Sequence, residues 1–235
     1  HEIPVITPEE LSLSRMDLTA DLYFSKSADI SSLIRLFRKS MLPRHYKRGE
    51  LEGKQDYFFQ LATKKISFKV YDKIYELEQN DRCPKEHRKQ KVLRLEVSMK
   101  REAFLDRLNL NRKDDLYTML KAGYDHVSDE IDYFLDKLFP SHGTHLPYPE
   151  AKKAIQKSKL DPGTRKQMLF LLEKTSRGAG LDTAAQKWAK TYSIVDSRKF
   201  HSLMKQFDKL HVNPITLTSK DTTEIPSLRT LIHLE

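Results

Sequence analysis

Three short stretches carry residue types and spacings suited to phosphate chemistry. In 66–71, apolar Ile66, Phe68 and Val70 alternate with Ser67, Lys69 and Tyr71. That is the period of a half-buried strand. In 12–24, Met16, Leu18, Ala20 and Leu22 alternate with Arg15, Asp17, Thr19 and Asp21. In 92–99, Leu93, Leu95 and Val97 alternate with Arg94, Glu96 and Ser98. If the apolar sides all pack against helices, the polar sides share one open sheet face. A slip of one residue would bury the whole polar set, so the alternation fixes which side faces out.

The chemistry of that face is specific. Asp17 and Glu96 are hard oxygen ligands of the kind that bind Mg²⁺ or Mn²⁺, and such an ion polarises phosphate. Tyr71 is a candidate nucleophile that would hold a cut strand as a phosphotyrosine. A free phenol has a pKa of about 10 and needs activation, for which Lys69 is the neighbouring cation. Arg15 and Arg94 are candidates to grip the phosphate through their guanidinium forks. The same residues also suit an inert surface. Arg and Glu on paired strands form cross-strand ion pairs, and strand tyrosines often only pack.

The elements that must position these residues follow from the same patterns. Strands are predicted over 12–24, 55–62, 65–72 and 92–99, with a short turn at Thr63–Lys64 joining the middle two. A helix is predicted over 28–41, from the stripe Ile30, Leu33, Ile34 and Phe37, ending before Pro43. More helix is expected over 100–108 and between 113 and 139. The polar stretch 79–91 reads as a loop with a helical turn. The segment 140–149, rich in Pro, His and Gly, reads as a linker. Beyond it helices are predicted over 150–158, 161–176, 182–190 and 196–210, the last two with the lengths of a helix-turn-helix. The expected fold is therefore α+β: an antiparallel sheet with helices on one face, then a C-terminal helical region. The expected division is a nuclease-like catalytic domain over 1–145 and a basic helical DNA-binding region over 146–235.

Charge points to a polyanionic partner. The chain has 235 residues and a net charge of +9. From Glu150 to His211 there are 14 Lys or Arg against 6 Asp or Glu, so most of the excess lies in the C-terminal helices. Lys187, Lys190, Arg198, Lys199 and Lys205 fall on or beside the two helices of the helix-turn-helix pattern and are candidate phosphate contacts. No apolar run reaches the ~20 residues of a membrane span. The single cysteine, Cys83, excludes an internal disulfide and suggests a reducing, cytoplasmic location. The chain opens without Met or a signal-peptide pattern, which predicts a fragment of a longer protein.

The blocks SRMDLTADL, ISFKVYDKIYELE and VLRLEVSMKREAFL, in that order and spacing, resemble rolling-circle replication initiators. The likeness is to the gene II/X-type initiators of filamentous phages, with the transposase-like plasmid Rep proteins a step further off. The C-terminal segment from Leu181 to Leu217 also resembles the helical tail of the phage proteins, and the match covers most of 12–217. The resemblance implies a site-specific nickase that opens one strand at origin DNA, joins to its 5′ end and leaves a 3′-OH. It implies single-stranded DNA and a host helicase as partners. It implies a divalent metal on Asp17 and Glu96, and a tyrosine nucleophile, with Tyr71 first and Tyr75 second. Lys73 and Glu76 belong to the same block, Lys73 as a DNA contact. The histidine–hydrophobic–histidine motif of many initiators has no counterpart, since His142 and His145 have the wrong spacing. The metal site implied is therefore built from acids.

Two other functions fit the same residues. One is a non-catalytic origin-binding or repressor protein that uses only the basic C-terminal helices. The other is an RNA-binding sheet, which should carry several exposed aromatics; Tyr71 is expected to be nearly alone on its face.

Overall fold

The computed structural model describes residues 12–49, 56–217 and 224–233. It is an α+β structure. Among the described residues five strands form one antiparallel sheet: β1 (Arg15–Tyr23), β2 (Lys47–Arg48), β3 (Phe58–Ala62), β4 (Ile66–Asp72) and β5 (Val92–Lys100). Their spatial order is β1-β5-β4-β3-β2, so the last strand in the chain lies between the first and β4. The β3–β4 hairpin is tied at Thr63, whose hydroxyl accepts from the Lys65 and Ile66 amides. β2 goes beyond the patterns read in the sequence.

Alternation sends Met16, Leu18, Leu22, Phe59, Leu61, Phe68, Val70, Leu93, Leu95, Val97 and Met99 into one buried cluster. Helix α1 (Ser27–Lys39) covers it with Ile30, Leu33, Ile34 and Phe37, and helix α5 (Val127–Leu138) with Ile131, Phe134, Leu135 and Leu138. Phe68 stacks on Phe134 at 4.8 Å, and Phe37 meets Phe139 edge-on at 5.2 Å. Each such side chain contributes about 1.5–3 kcal/mol by leaving water. Helices α3 (Arg101–Arg107) and α4 (Leu116–Asp125) complete this layer. Gly123 of α4 is required by close approach: a Cβ there would lie 2.5 Å from the Met16 sulfur on β1.

The sheet is not covered on one face alone, as the sequence pattern led us to expect. Helix α2 (Lys73–Gln79) starts directly at the end of β4, and its residues Tyr75, Glu76 and Gln79, with Asn80 just beyond it, stand beside the polar face. The reason is local. Asp72 ends the strand and its carboxylate accepts from the Tyr75 amide at 3.0 Å, which caps the helix and turns the chain over the open side.

Helices α6 (Tyr148–Lys157), α7 (Pro162–Ser176), α8 (Leu181–Thr191) and α9 (Ser197–Lys209) gather around a second cluster that contains Ile155, Met168, Leu172, Trp188, Leu203 and Phe207. Asp161 and Asp196 cap α7 and α9 through the Thr164 and Arg198 amides. Between α8 and α9 the chain reverses at Ser193, which has φ +51°, while the Ile194 amide donates back to Ala189.

Residues 141–147 are not an exposed linker. Ser141 and His145 are buried, and Thr144, His145 and Pro147 form β-bridges with Val212, Ile225 and Leu217. Gly143 is needed here because a Cβ would run into the Val212 backbone. The returning tail buries Ile215, Leu217 and Leu228 in the first cluster, and a last helix, α10 (Leu228–His233), packs beside α5. No helix among the described residues is long and apolar enough to cross a membrane.

His145 donates through Nδ1 to the Ile215 carbonyl at 2.8 Å. Burial holds its pKa down to about 4, below the usual 6.5. The unfolded chain therefore takes up this proton first as pH falls. The stability tied to neutral His145 is complete above about pH 6.5 and drains between there and about pH 4. His145→Asn keeps an N–H donor but does not titrate. Its melting midpoint should fall less steeply than that of the parent across this window. Parallel curves would assign the acid sensitivity elsewhere.

Candidate active site

Across β1, β5 and β4 the polar face presents three ranks of side chains, and the strand register decides which of them meet. On β5, Glu96 lies between Thr19 of β1 and Lys69 of β4. Arg94 lies between Asp21 and Tyr71, and Ser98 between Asp17 and Ser67. Glu96 is therefore at the centre, with Asp17 diagonal to it. Three donors converge on its carboxylate. Lys69 Nζ donates to Oε1 at 2.6 Å, Ser98 Oγ donates to the same oxygen at 3.0 Å, and Tyr71 Oη donates to Oε2 at 2.8 Å.

These contacts set the protonation of the pair. Burial pushes the Tyr71 phenol up, and the hydrogen bond and negative charge of Glu96 push it further, against a smaller downward pull from Arg94. Burial also pushes Glu96 up, but hydrogen bonds from Lys69 and Tyr71, the Lys69 charge and the Ser98 hydrogen bond outweigh it and leave it below the ordinary value. Resting Tyr71 is thus a neutral phenol pointed at an ionised carboxylate.

Tyr71, Lys69 and Glu96 line a cavity of about 400 Å³, together with Arg15, Asp17, Tyr75 and residues of the α2 side. The strands and α2 therefore bring together the predicted nucleophile, its cation, both acids, Arg15 and the second tyrosine. Arg94 and Lys73 lie outside that lining. Arg94 is held by both Asp21 oxygens at 2.6 Å, a bidentate pair that raises its pKa. Lys73 bonds Glu76 at 2.7 Å and lies 5.9 Å from the Tyr71 ring centre. On the C-terminal helices, Lys187, Lys190, Arg198, Lys199 and Lys205 are all exposed, and Arg198 pairs with Asp196 at 2.8 Å.

Tyr71 is not nearly alone among aromatics here. Tyr57, Phe58 and Tyr75 share the cavity lining. Tyr57 and Tyr75 stack with centroids 4.0 Å apart and planes at 9°. The sequence reading missed Tyr57 and Phe58. The available signal was the hairpin itself, which pairs Phe58 with Tyr71 once the turn at Thr63 is placed.

The donor set does not fit a divalent ion as arranged. Glu96 is occupied by an ammonium and two hydroxyls, and Asp17 is taken by Arg15 through both Nε and Nη2. Among the described residues no group of three His, Cys, Asp or Glu side chains is placed to hold a metal. A hard divalent ion seeks about six oxygens, and here its place beside Glu96 is filled by Lys69.

Compared with family models, curated proteins and solved structures, the chain has no significant match in any of the three. The resemblance to rolling-circle initiators rests on the ordered residue blocks.

The network gives a direct spectroscopic outcome. The Tyr71 pKa is raised above the ordinary 10.0, so its stabilising effect is present below about pH 10 and is lost as pH rises further. In an alkaline tyrosinate titration, the parent and Tyr71→Phe should overlay through the ordinary range, because Tyr71 has not yet ionised. Glu96→Gln removes the charge that opposes the phenolate and should bring one more tyrosine toward that range. The extra signal should vanish in Glu96→Gln/Tyr71→Phe. Identical curves for the parent and Glu96→Gln would mean that Glu96 does not control the phenol.

Proposed function

We propose that this protein cuts and rejoins single-stranded DNA through a tyrosine, as a rolling-circle initiator does. The observation that carries the reading is the Tyr71 hydroxyl held 2.8 Å from an ionised carboxylate that also binds Lys69, inside an open cavity. A nucleophile hydrogen-bonded to a base, with the base held by a third group, is the usual arrangement for covalent catalysis.

In this mechanism the Tyr71 oxygen attacks phosphorus and its proton passes to Glu96. The bond from phosphorus to the 3′ oxygen breaks. Lys69 gives a proton to that oxygen, leaving a 3′-OH, and recovers one from Glu96 across their 2.6 Å hydrogen bond. The 5′ phosphate stays on the tyrosine. Rejoining runs the same steps backwards: the 3′-OH attacks the phosphotyrosine and the proton returns to the phenol. Arg15, on the cavity rim, supplies positive charge to the phosphate. Tyr75 is the second choice of nucleophile, because it shares the cavity and is less deeply buried than Tyr71. The basic α8–α9 pair, in this reading, docks the DNA backbone in the manner of a helix-turn-helix.

A non-catalytic origin-binding or repressor protein is the second reading. Saturation of Glu96 by three donors favours it, since the same network would stiffen an inert sheet face.

The test is an adduct assay with origin-bearing single-stranded oligonucleotides and peptide mapping by mass spectrometry. Tyr71→Phe should bind DNA normally and form neither nick nor adduct, whereas Tyr75→Phe should keep both. An adduct that persists in Tyr71→Phe and is lost in Tyr75→Phe moves the role to Tyr75. No adduct from the parent supports the non-catalytic reading.

DNA docking by α8 and α9 has its own measurement. The logarithm of affinity should fall linearly with the logarithm of salt concentration. Replacing Lys187, Lys190 and Lys205 with Glu should shrink the slope by about one unit for each phosphate no longer neutralised. An unchanged slope would mean these lysines are ordinary solvated surface.

A further inference from the structure

A second cavity, of about 510 Å³, lies away from the sheet, between α6, α7 and the end of α8. Its walls combine two kinds of side chain. Tyr148, Phe170 and Tyr192 give it aromatic surface that is only partly buried. Lys152 from α6, with Arg165 and Lys166 from α7, place cations on both sides. The acid in the lining, Glu173, is already paired with Arg177 at 2.7 Å. Phe170 and Tyr192 meet edge-on, with centroids 5.8 Å apart and planes at 83°, and both line the groove. Lys152 and Lys174 lie 6.0 and 5.0 Å from the Tyr148 and Phe170 ring centres.

We infer that this groove binds unpaired nucleotides of a DNA strand, with bases against Phe170 and Tyr148 and phosphates on Lys152, Arg165 and Lys166. The inference rests on the proposed reading that DNA is the substrate. A base can lie on an aromatic ring only when its own face is free, as in a single strand. A duplex offers phosphates but keeps its bases stacked, so it would use the cations and leave the rings idle. The excess of positive charge between Glu150 and His211, 14 cationic against 6 acidic residues, complements a polyanion. The groove is walled by α6, α7 and Tyr192 at the end of α8, whereas Lys187, Lys190, Arg198, Lys199 and Lys205 lie on α8 and α9. It would therefore hold an unpaired strand next to the duplex-docking helices, as an opened origin requires.

The test uses the full chain carrying Tyr71→Phe, so that cleavage does not mix with binding. Anisotropy is read with a labelled oligothymidylate and with a hairpin duplex of equal phosphate number. Phe170→Leu, which keeps an apolar side chain, should weaken oligothymidylate binding about tenfold and leave the duplex unchanged. Lys166→Glu, at an exposed position with little bearing on folding, should weaken the oligothymidylate and lower its salt slope by about one unit or more. Unchanged single-strand affinity in both variants overturns the inference. So does an equal loss for strand and duplex in a Phe170→Leu protein of normal circular dichroism, or no oligothymidylate binding by the parent. Binding of an acidic, tyrosine-containing peptide that Phe170→Leu abolishes while the oligothymidylate is unaffected would make the groove a protein site instead. The catalytic assignment fails on separate evidence, by a persisting adduct in Tyr71→Phe; the groove measurement is then made in Tyr71→Phe/Tyr75→Phe, which lacks both candidate nucleophiles, and is read by the same outcomes.

Discussion

The Glu96 carboxylate is the constraint around which the open face is organised. It sits on β5, between β1 and β4, and is buried, and an ionised carboxylate in that position must be matched by donors. Lys69 matches its charge, and Tyr71 and Ser98 each donate a further hydrogen bond. Each of those residues is thereby fixed in turn. Lys69 is drawn inward over the sheet, and Tyr71 is held as a phenol. The neighbouring rank closes in the same way through Arg94 and Asp21. The face is a set of locked pairs, and Tyr57 and Tyr75 stack beside it.

The second organising feature is the path of the chain between the two clusters. The stretch 141–147 is clamped between the tail residues Val212, Leu217 and Ile225. Buried polar side chains complete the clamp. Asn213 donates to the Ser141 carbonyl, Thr175 to the Pro214 carbonyl and His145 to the Ile215 carbonyl. Leaving such groups unpaired would cost about 1–3 kcal/mol each. The helical cluster is therefore joined to the sheet by hydrogen-bonded backbone that crosses between them on both sides of α6–α9, and not by one tether.

Much of this was legible in the residues. Alternation in 12–24, 66–71 and 92–99 identified the strands and the polar face, because a period of two leaves no freedom about which side is buried. The helical stripe of α1 was legible from its own 3.6-residue period, and the C-terminal helices were predicted as ranges over 150–158, 161–176, 182–190 and 196–210. What could not be read was pairing. Asp17 and Glu96 share a face in any register, but only the observed register sets Asp17 opposite Ser98 and leaves Glu96 to Lys69. The position of α2 over the open side depends on Asp72, a single capping residue at a strand end. The Tyr57–Tyr75 stack follows from that position and has no periodic signature. The segment 141–147 has the composition of a linker, and only its distant partners make it part of the interior.

The strand order also dictates when this face comes into being. β1, β3 and β4 all leave the ribosome before β5, yet β5 separates β1 from β4. Until residue 100 has emerged, the β3–β4 hairpin carries Tyr71 and Lys69 with no carboxylate between them. β1 meanwhile waits as an unpaired strand, with all of residues 24–91 between it and β5. Such a gap is slow to close, because the long loop must be ordered before the pairing repays it. Insertion of β5 then satisfies both open strand edges and delivers Glu96, Arg94 and Ser98 together. A nascent or truncated chain that ends before β5 presents two sticky edges and no assembled site. The chemistry of the polar face is in this sense all-or-none, and it arrives with the strand that closes the sheet.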